Sequence, residues 1–217
     1  MAELIADPFR AARLVLALRR QGITNDSVLS ALETVDRGAF VDDSLAGLGT
    51  EDCSLPIACG QSIPRPIVTA RLLRALEPSP GKEDKILLVG AGSGYTAALL
   101  GQIARHVFAV ERFRALVKAA NERLAALKVD NVTVRLGDGL DGLAEHGPYD
   151  RILLAGAVRT IPSALVEQLG RDGRLVAPLR LADETLVLRA VLPDKSTSDD
   201  ILPEKLSDLV KGESLAL

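Results

Sequence analysis

The stretch ILLVGAGSGYTAALL, residues 86–100, decides the fold. An apolar run from Ile86 to Val89 meets glycine at three alternate positions, Gly90, Gly92 and Gly94, and a helix-forming run follows from Thr96 to Ile103. That order predicts a strand, a tight turn and a helix. Glycine is needed where the backbone takes positive φ or lies against a ligand with no Cβ in the way. The helix start adds free N–H groups that attract polar or anionic ligand atoms. The loop Gly90, Ala91, Gly92, Ser93 and Gly94 is therefore a candidate cradle for a nucleotide-like cofactor.

The motif alone does not name the cofactor. Gly92, Gly94 and Ala97 also satisfy the spacing of a dinucleotide fingerprint, a weak signal. Glu111 ends the next apolar run, His106 to Val110, and lies 21 residues after Gly90. An acid at such a strand end accepts hydrogen bonds from ribose hydroxyls, and NAD, FAD and S-adenosylmethionine all carry a ribose.

Downstream of residue 86, short apolar strands at 86–89, 107–110, 132–136, 151–155 and 174–178 alternate with helices at 96–104, 114–127, about 139–145, and 162–169. Alternation of this kind implies an α/β fold, a doubly wound and mostly parallel sheet covered on both faces. Residues 176–192, with a turn at 181–184, predict a closing antiparallel hairpin. Upstream, the spacing predicts a helix over 8–20 ended by Gly22, a second helix capped at 25–27 and running to Val35, irregular chain over 36–56, and a helix over 67–76. Between them, PIACGQSIPRP at 56–66 is stiffened by three prolines. The length of 217 residues fits one domain: N-terminal helices and a loop over 1–80, a cofactor-binding sheet over 81–193, and a tail over 194–217 without assignable periodicity.

Composition narrows the class. A net charge of −3 and a pI near 5.5 argue against a dedicated nucleic-acid partner. No apolar run reaches the length of a membrane span, so no membrane partner is expected, and the N-terminus lacks the pattern of a secretory signal. Cys53 and Cys59 are six apart and fit free thiols in a reducing cytoplasm better than a bridge or zinc. The two histidines, His106 and His146, have no companions at metal-ligand spacing, so no metal is expected. His146, in the turn EHGPY, is expected to be a solvated loop residue.

Read together, several segments resemble the protein-L-isoaspartate O-methyltransferase family of class I S-adenosylmethionine-dependent methyltransferases. VDRGAFV at 35–41 resembles the segment before its substrate loop, and LPIACGQSIPRP at 55–66 resembles that loop. The glycine stretch resembles its methionine-and-ribose loop; NVTVRLGDG at 131–139, YDRILLAGA at 149–157 and GRLVAPL at 173–179 resemble the adenine side and the end of the sheet. The resemblance covers roughly residues 10–180, and the loop LPIACGQSIPRP is its specific part. A dinucleotide oxidoreductase usually starts near its glycine loop, whereas some 85 residues precede it here.

The resemblance implies a Rossmann-like fold, S-adenosyl-L-methionine as cofactor with S-adenosyl-L-homocysteine as product, and methylation of isoaspartyl carboxylates in damaged proteins. It assigns Asp138 and Gly139 to the adenine side, and Gln61, Ser62, Ile63 and Arg65 to the substrate loop. Two departures matter. The acid usual two residues before the first loop glycine is Leu88, and the serine of the substrate loop is Pro64, which has neither hydroxyl nor N–H. The catalytic position is therefore left without a residue. Two alternatives follow: a relative that binds cofactor and a protein partner with weak or lost repair activity, or a methyltransferase for another carboxylate or small molecule.

Overall fold

The structure is a computed structural model that describes residues 9–202 and 206–214. Its centre is a seven-stranded sheet made of β3 (Lys85–Val89), β4 (His106–Glu111), β5 (Val132–Leu136), β6 (Tyr149–Leu154), β7 (Leu169–Arg180), β8 (Leu186–Val191) and β9 (Thr197–Ile201), in the spatial order β5-β4-β3-β6-β7-β8-β9. The first five strands of that order are parallel; β8 and β9 each run antiparallel to the neighbour before them. A separate small hairpin pairs β1 (Leu55–Pro56) with β2 (Ser62–Ile63). The expected strands and closing hairpin form, with β6 and β7 starting earlier than the apolar runs suggest.

Side chains alternate across the sheet as a strand's period of two demands. Ile86, Leu88, Val107 and Ala109 point into one core, shared with helices α1 (Arg10–Arg20), α2 (Asp26–Thr34), α4 (Pro66–Leu76) and α5 (Tyr95–Ile103). Between α2 and α4 lies α3 (Asp43–Ala46), a single turn in the chain expected to be irregular. The Asn25 side chain accepts from the N–H of Val28 at 3.1 Å and caps α2 as expected, and Pro66 occupies the first turn of α4. Eight of the nine residues of α5 are buried, so this helix has no polar face. It is followed, after β4, by the amphipathic α6 (Arg114–Ala126), which buries Leu116, Ala120 and Leu124 at four-residue spacing.

The opposite face holds Leu87, Val89, Val110 and Ile152, and its cover is thinner. One expected helix fails there and another is cut short. Over 139–145 no α-helix forms: the Asp138 carboxylate accepts the N–H of Leu140 at 3.0 Å, Gly142 sits at φ +74°, and a short 3-10 turn covers only Ala144–His146. An Asx-type turn followed by a left-handed glycine offers the backbone a local alternative to helix. The helix expected over 162–169 shrinks to α7 (Ser163–Val166), because the chain enters β7 at Leu169. Leu140, Leu143, Val166 and Leu209 of the tail cover this face instead of full helices.

His146 departs from its expected solvated state. Its ring stacks on Phe108 at 4.2 Å, with His106 at 4.4 Å from that same phenyl ring, and its Nε2 is buried without a hydrogen-bond partner. Phe108 projects from β4 on the thinly covered face, and an aromatic ring from the loop is the apolar surface available to shield it. The described part of the tail also takes a defined course. Thr197–Ile201 extends the sheet by an edge strand whose five residues are all exposed, which is why no apolar period marks it.

Candidate active site

The chain leaves β3 toward β4 and returns past it to β6, so neighbouring connections diverge at the carboxyl end of β3. That is where α/β sheets bind ligands. One cleft opens there. Gly90 to Ser93 follow β3, Glu111 to Phe113 follow β4, Asp138 to Leu140 follow β5, and Ala155 and Gly156 follow β6; all line it. The opposite wall is the β1–β2 hairpin, through Ile57, Gln61, Ser62, Ile63 and Pro64.

The sheet-side wall is fixed by backbone. The N–H groups of Gly90 and Ala91 both bond the carbonyl of Val110, at 2.9 and 3.2 Å. Gly92 sits at φ +55°, a conformation that a β-branched residue rarely takes, and its N–H donates to Glu111 Oε2 at 2.8 Å. Glu111 Oε1 accepts the N–H of Phe113 at 3.0 Å. The carboxylate is buried and, among the described residues, accepts from backbone donors alone, with further lone pairs to offer a ligand's hydroxyls. At Gly139 a Cβ would stand 2.6 Å from Val89 Cγ1, so this turn lies against the end of β3 as only glycine permits.

Two buried polar atoms on this wall, Ser93 Oγ and Arg112 Nε, have no protein partner among the described residues. Ser93 is 1% exposed, and its Oγ makes no hydrogen bond. Buried hydroxyls are normally satisfied, so an orphan lining a cleft fits a polar ligand atom. The open glycine backbone, this hydroxyl and the Glu111 carboxylate together suit a ribose-bearing amino-acid cofactor. Leu88, where an acid is usual, is fully buried in the sheet and offers no polar contact.

The hairpin wall brings three of the four expected substrate-loop residues to the cleft, Gln61, Ser62 and Ile63, together with Pro64, but not Arg65. Arg65 donates to Asp52, from Nε to Oδ1 at 3.2 Å and from Nη2 to Oδ2 at 2.5 Å. A nearby carboxylate is a better partner for a half-exposed guanidinium than an open cleft. Gln61 Nε2 donates to the carbonyl of Cys59 at 3.3 Å and closes the hairpin tip, where Cys59 itself takes φ +59°. Both cysteines are free thiols.

Some residues of the cleft carry no motif. Tyr95, 2% exposed, packs its ring 5.6 Å from Phe40 and lines the cleft at the start of α5; burial pushes its hydroxyl well above the ordinary tyrosine range. Arg112 lies over the ring of Phe113 at 5.3 Å. The tail supplies a third wall, Leu206 to Val210. It is laced to the sheet by Ala157 N–H to Ser207 O at 2.9 Å and Leu209 N–H to Ala157 O at 2.7 Å. Arg180 pairs with Asp208 at 2.7 Å, and the N–H of Gly212 donates to Asp138 Oδ2 at 2.5 Å. Nothing in the sequence signals this wall, because its contacts are made mostly by backbone.

The fold and cleft define a class I, Rossmann-like methyltransferase. The family profile of protein-L-isoaspartate(D-aspartate) O-methyltransferase matches residues 10–205, and the chain belongs to that family. It is 39% identical over 214 residues to a protein-L-isoaspartate O-methyltransferase of Maricaulis maris, covering 98% of this chain and 99% of that one. A relative of the same name from Cereibacter sphaeroides is 40% identical over 205 residues, covering 94% of this chain and 93% of its own. Among solved structures, a protein-L-isoaspartate O-methyltransferase superposes with a TM-score of 0.81 at 22% identity, over 91% of this chain and 65% of the other. A Plasmodium falciparum protein assigned to the same activity, in complex with S-adenosyl-L-homocysteine, gives a TM-score of 0.75 at 25% identity, over 92% of this chain and 97% of its own.

Proposed function

We propose that this chain transfers a methyl group from S-adenosylmethionine to the free carboxylate of L-isoaspartyl residues in damaged proteins. One observation carries the reading: the glycine loop and the hairpin LPIACGQSIPRP, each a separate mark of the family, form opposite walls of one cleft. The cofactor supplies an electrophilic methyl on a sulfonium leaving group. Gly90, Ala91, Gly92, Ser93 and Gly94 would hold its methionine and ribose, Glu111 the ribose hydroxyls, and Asp138 with Gly139 the adenine side.

The chain needs no strong base, because an isoaspartyl carboxylate with a pKa of about 4 is ionised at neutral pH. Its work is to align the acceptor oxygen and exclude water. Gln61, Ser62 and Ile63 form the acceptor wall, and the Ser62 hydroxyl is the side-chain donor left there once Pro64 replaces serine. In this reading the chain acts as one domain on a protein substrate. Its two free thiols suit the cytoplasm.

Pro64 also favours a second reading, a family member that binds cofactor and substrate but turns over slowly. The deciding experiment is transfer of labelled methyl to an isoaspartyl peptide and to its aspartyl isomer. Methylation of the first alone supports repair. Cofactor binding and peptide binding without transfer support the slow binder. Transfer to neither, with no peptide affinity, removes the isoaspartyl assignment.

A further inference from the structure

Arg37 opens a 3-10 turn, Arg37–Phe40, and is 3% exposed. All its hydrogen bonds among the described residues end on backbone carbonyls. Nη1 reaches Gly49 O and Glu51 O, both at 3.4 Å. Nη2 reaches Cys53 O at 2.6 Å, Pro64 O at 3.0 Å and Ile63 O at 3.4 Å. Its Nε is buried with no partner. Burial pushes its pKa below the ordinary arginine value, with Tyr95, Cys53 and Asp52 pulling the other way. The group stays charged, since a guanidinium does not deprotonate in a protein.

A buried cation held only by neutral acceptors is a costly way to brace a loop. Its position explains the cost. The β1–β2 hairpin has two residues per strand, too few to fix its own shape. Arg37 ties its second strand and Pro64 to the chain at 49–53. In doing so it draws the carbonyl oxygens of Ile63 and Pro64 to itself, while those residues line the cleft. A carbonyl turned into the cleft would repel a carboxylate. Behind the same peptides stands a positive charge that no carboxylate hydrogen-bonds, whereas Arg65 is taken up by Asp52. The other charged residues lining the cleft are Glu111, Asp138 and Asp208, which disfavour an anion, and Arg112, which lies against the ring of Phe113 at the end of β4.

We propose that Arg37 is a positioning residue for the methyl acceptor: it turns the carbonyls of Ile63 and Pro64 out of the cleft and places a buried positive charge, hydrogen-bonded to no carboxylate among the described residues, behind the wall that receives the carboxylate. This rests on the acceptor reading of the hairpin given above. It assigns the preference for an anionic acceptor to a residue that never touches it.

The test uses the full chain with Arg37→Met and Arg37→Lys, read by S-adenosyl-L-homocysteine affinity in calorimetry, by isoaspartyl-peptide affinity in the presence of that product, and by KM and kcat. Cofactor-product affinity should stay within about threefold in both variants. Arg37→Met should raise the peptide KM and dissociation constant about tenfold or more, as expected for losing a buried charge close to the acceptor, with a smaller change in kcat. Arg37→Lys, which keeps the charge and loses the fan of bonds, should recover about a third to two thirds of that loss on a logarithmic scale. Equal impairment by Met and Lys, or a parallel fall in product affinity, would show a structural brace alone and overturn the proposal. So would a peptide affinity within threefold of wild type in Arg37→Met. If Arg37→Met does not fold, Arg37→Lys decides: a several-fold rise in peptide KM with product affinity unchanged supports it, and no rise overturns it. A wild-type chain that binds the product but has no affinity for the peptide removes the acceptor reading itself, a result distinct from all of these.

Discussion

The glycine-loop wall of the cleft grows from the ends of buried strands, whereas the hairpin wall facing it hangs on side chains. Ile86, Leu87 and Leu88 of β3 are fully buried, and the loop after them is tied by two backbone bonds to Val110. Truncating any of those side chains would cost about 2–5 kcal/mol and move the whole wall. The hairpin has two two-residue strands, the buried side chains of Leu55 and Ile63, and the reach of Arg37. A wall made of sheet holds its position through most changes of sequence. A wall made of loop can be retuned by one residue, and Pro64, the departure from the family pattern on the proposed acceptor side, lies there.

The sharpest way to break this comparison is Gly92→Val. Gly92 takes φ +55° and its N–H serves Glu111, so a β-branched residue must strain or flip the loop. An added Cβ would find only Ile57 Cδ1, at 3.5 Å, so the fold itself tolerates the volume. S-adenosyl-L-homocysteine affinity should fall about 100-fold or more, with the melting temperature of the free protein lowered by only a few degrees. Binding retained within threefold would mean that the cofactor lies elsewhere.

Pro64→Ser tests the opposite wall. It restores a hydroxyl in the cleft and leaves the carbonyl that Arg37 bonds at 3.0 Å. The rate on isoaspartyl peptide should rise about tenfold and by no more than about 150-fold, the range for one hydrogen bond to a charged group. Loosening of the hairpin by loss of proline lowers the gain. Product affinity should not change. An unchanged rate would assign the carboxylate to Ser62 or to backbone N–H groups.

Asp138→Ala probes the seam where the sheet wall meets the tail. Its carboxylate accepts the N–H of Leu140 at 3.0 Å and that of Gly212 at 2.5 Å. Both donors lose a partner in the variant, and the adenine side loses its acid. Product affinity should drop about 2- to 13-fold, the worth of one ordinary hydrogen bond. A larger drop, matched by removing residues 206–217, would show that the tail rather than the carboxylate closes this end.

The same contrast explains what the sequence disclosed. The sheet was legible because its strands are short apolar runs set between glycine and helix signals, and Glu111 and Asp138 sit where strand ends must line the crevice. Helices over 139–145 and 162–169 were misread because periodicity does not register an Asx turn at Asp138 or the demand of β7 for Leu169. The role of Arg37 could not be read at all. Its partners lie 12 to 27 residues away and are carbonyls, which every residue has. Arg65 looked like an acceptor contact from position alone, and the carboxylate that takes it, Asp52, belongs to chain without a pattern.

The smallest effect concerns the loop between β5 and β6, on the thinly covered face of the sheet. The chain from Gly139 to Gly147 leaves the cleft and is pinned by His146 stacked on Phe108, against which His106 also packs. The pKa of His106 is lowered by its partial burial first, then by His146 and Arg105 nearby, while its Nε2 lies 3.2 Å from Thr133 Oγ1. A depressed histidine favours the neutral ring in the folded state. The unfolded chain therefore binds the proton first as pH falls. Stability from this site is complete above the unfolded value of about 6.5 and is lost as pH drops from there through the folded value. Wild type should lose about 1–2 °C more in melting temperature between about pH 7 and pH 5 than His106→Gln, whose side chain does not titrate. Product affinity at about pH 7.5, where the ring is neutral in both states, should match in the two proteins. If the two melting curves shift in parallel, the acid sensitivity lies with carboxylate pairs such as Asp199 with Arg189, and the ring stack is only packing.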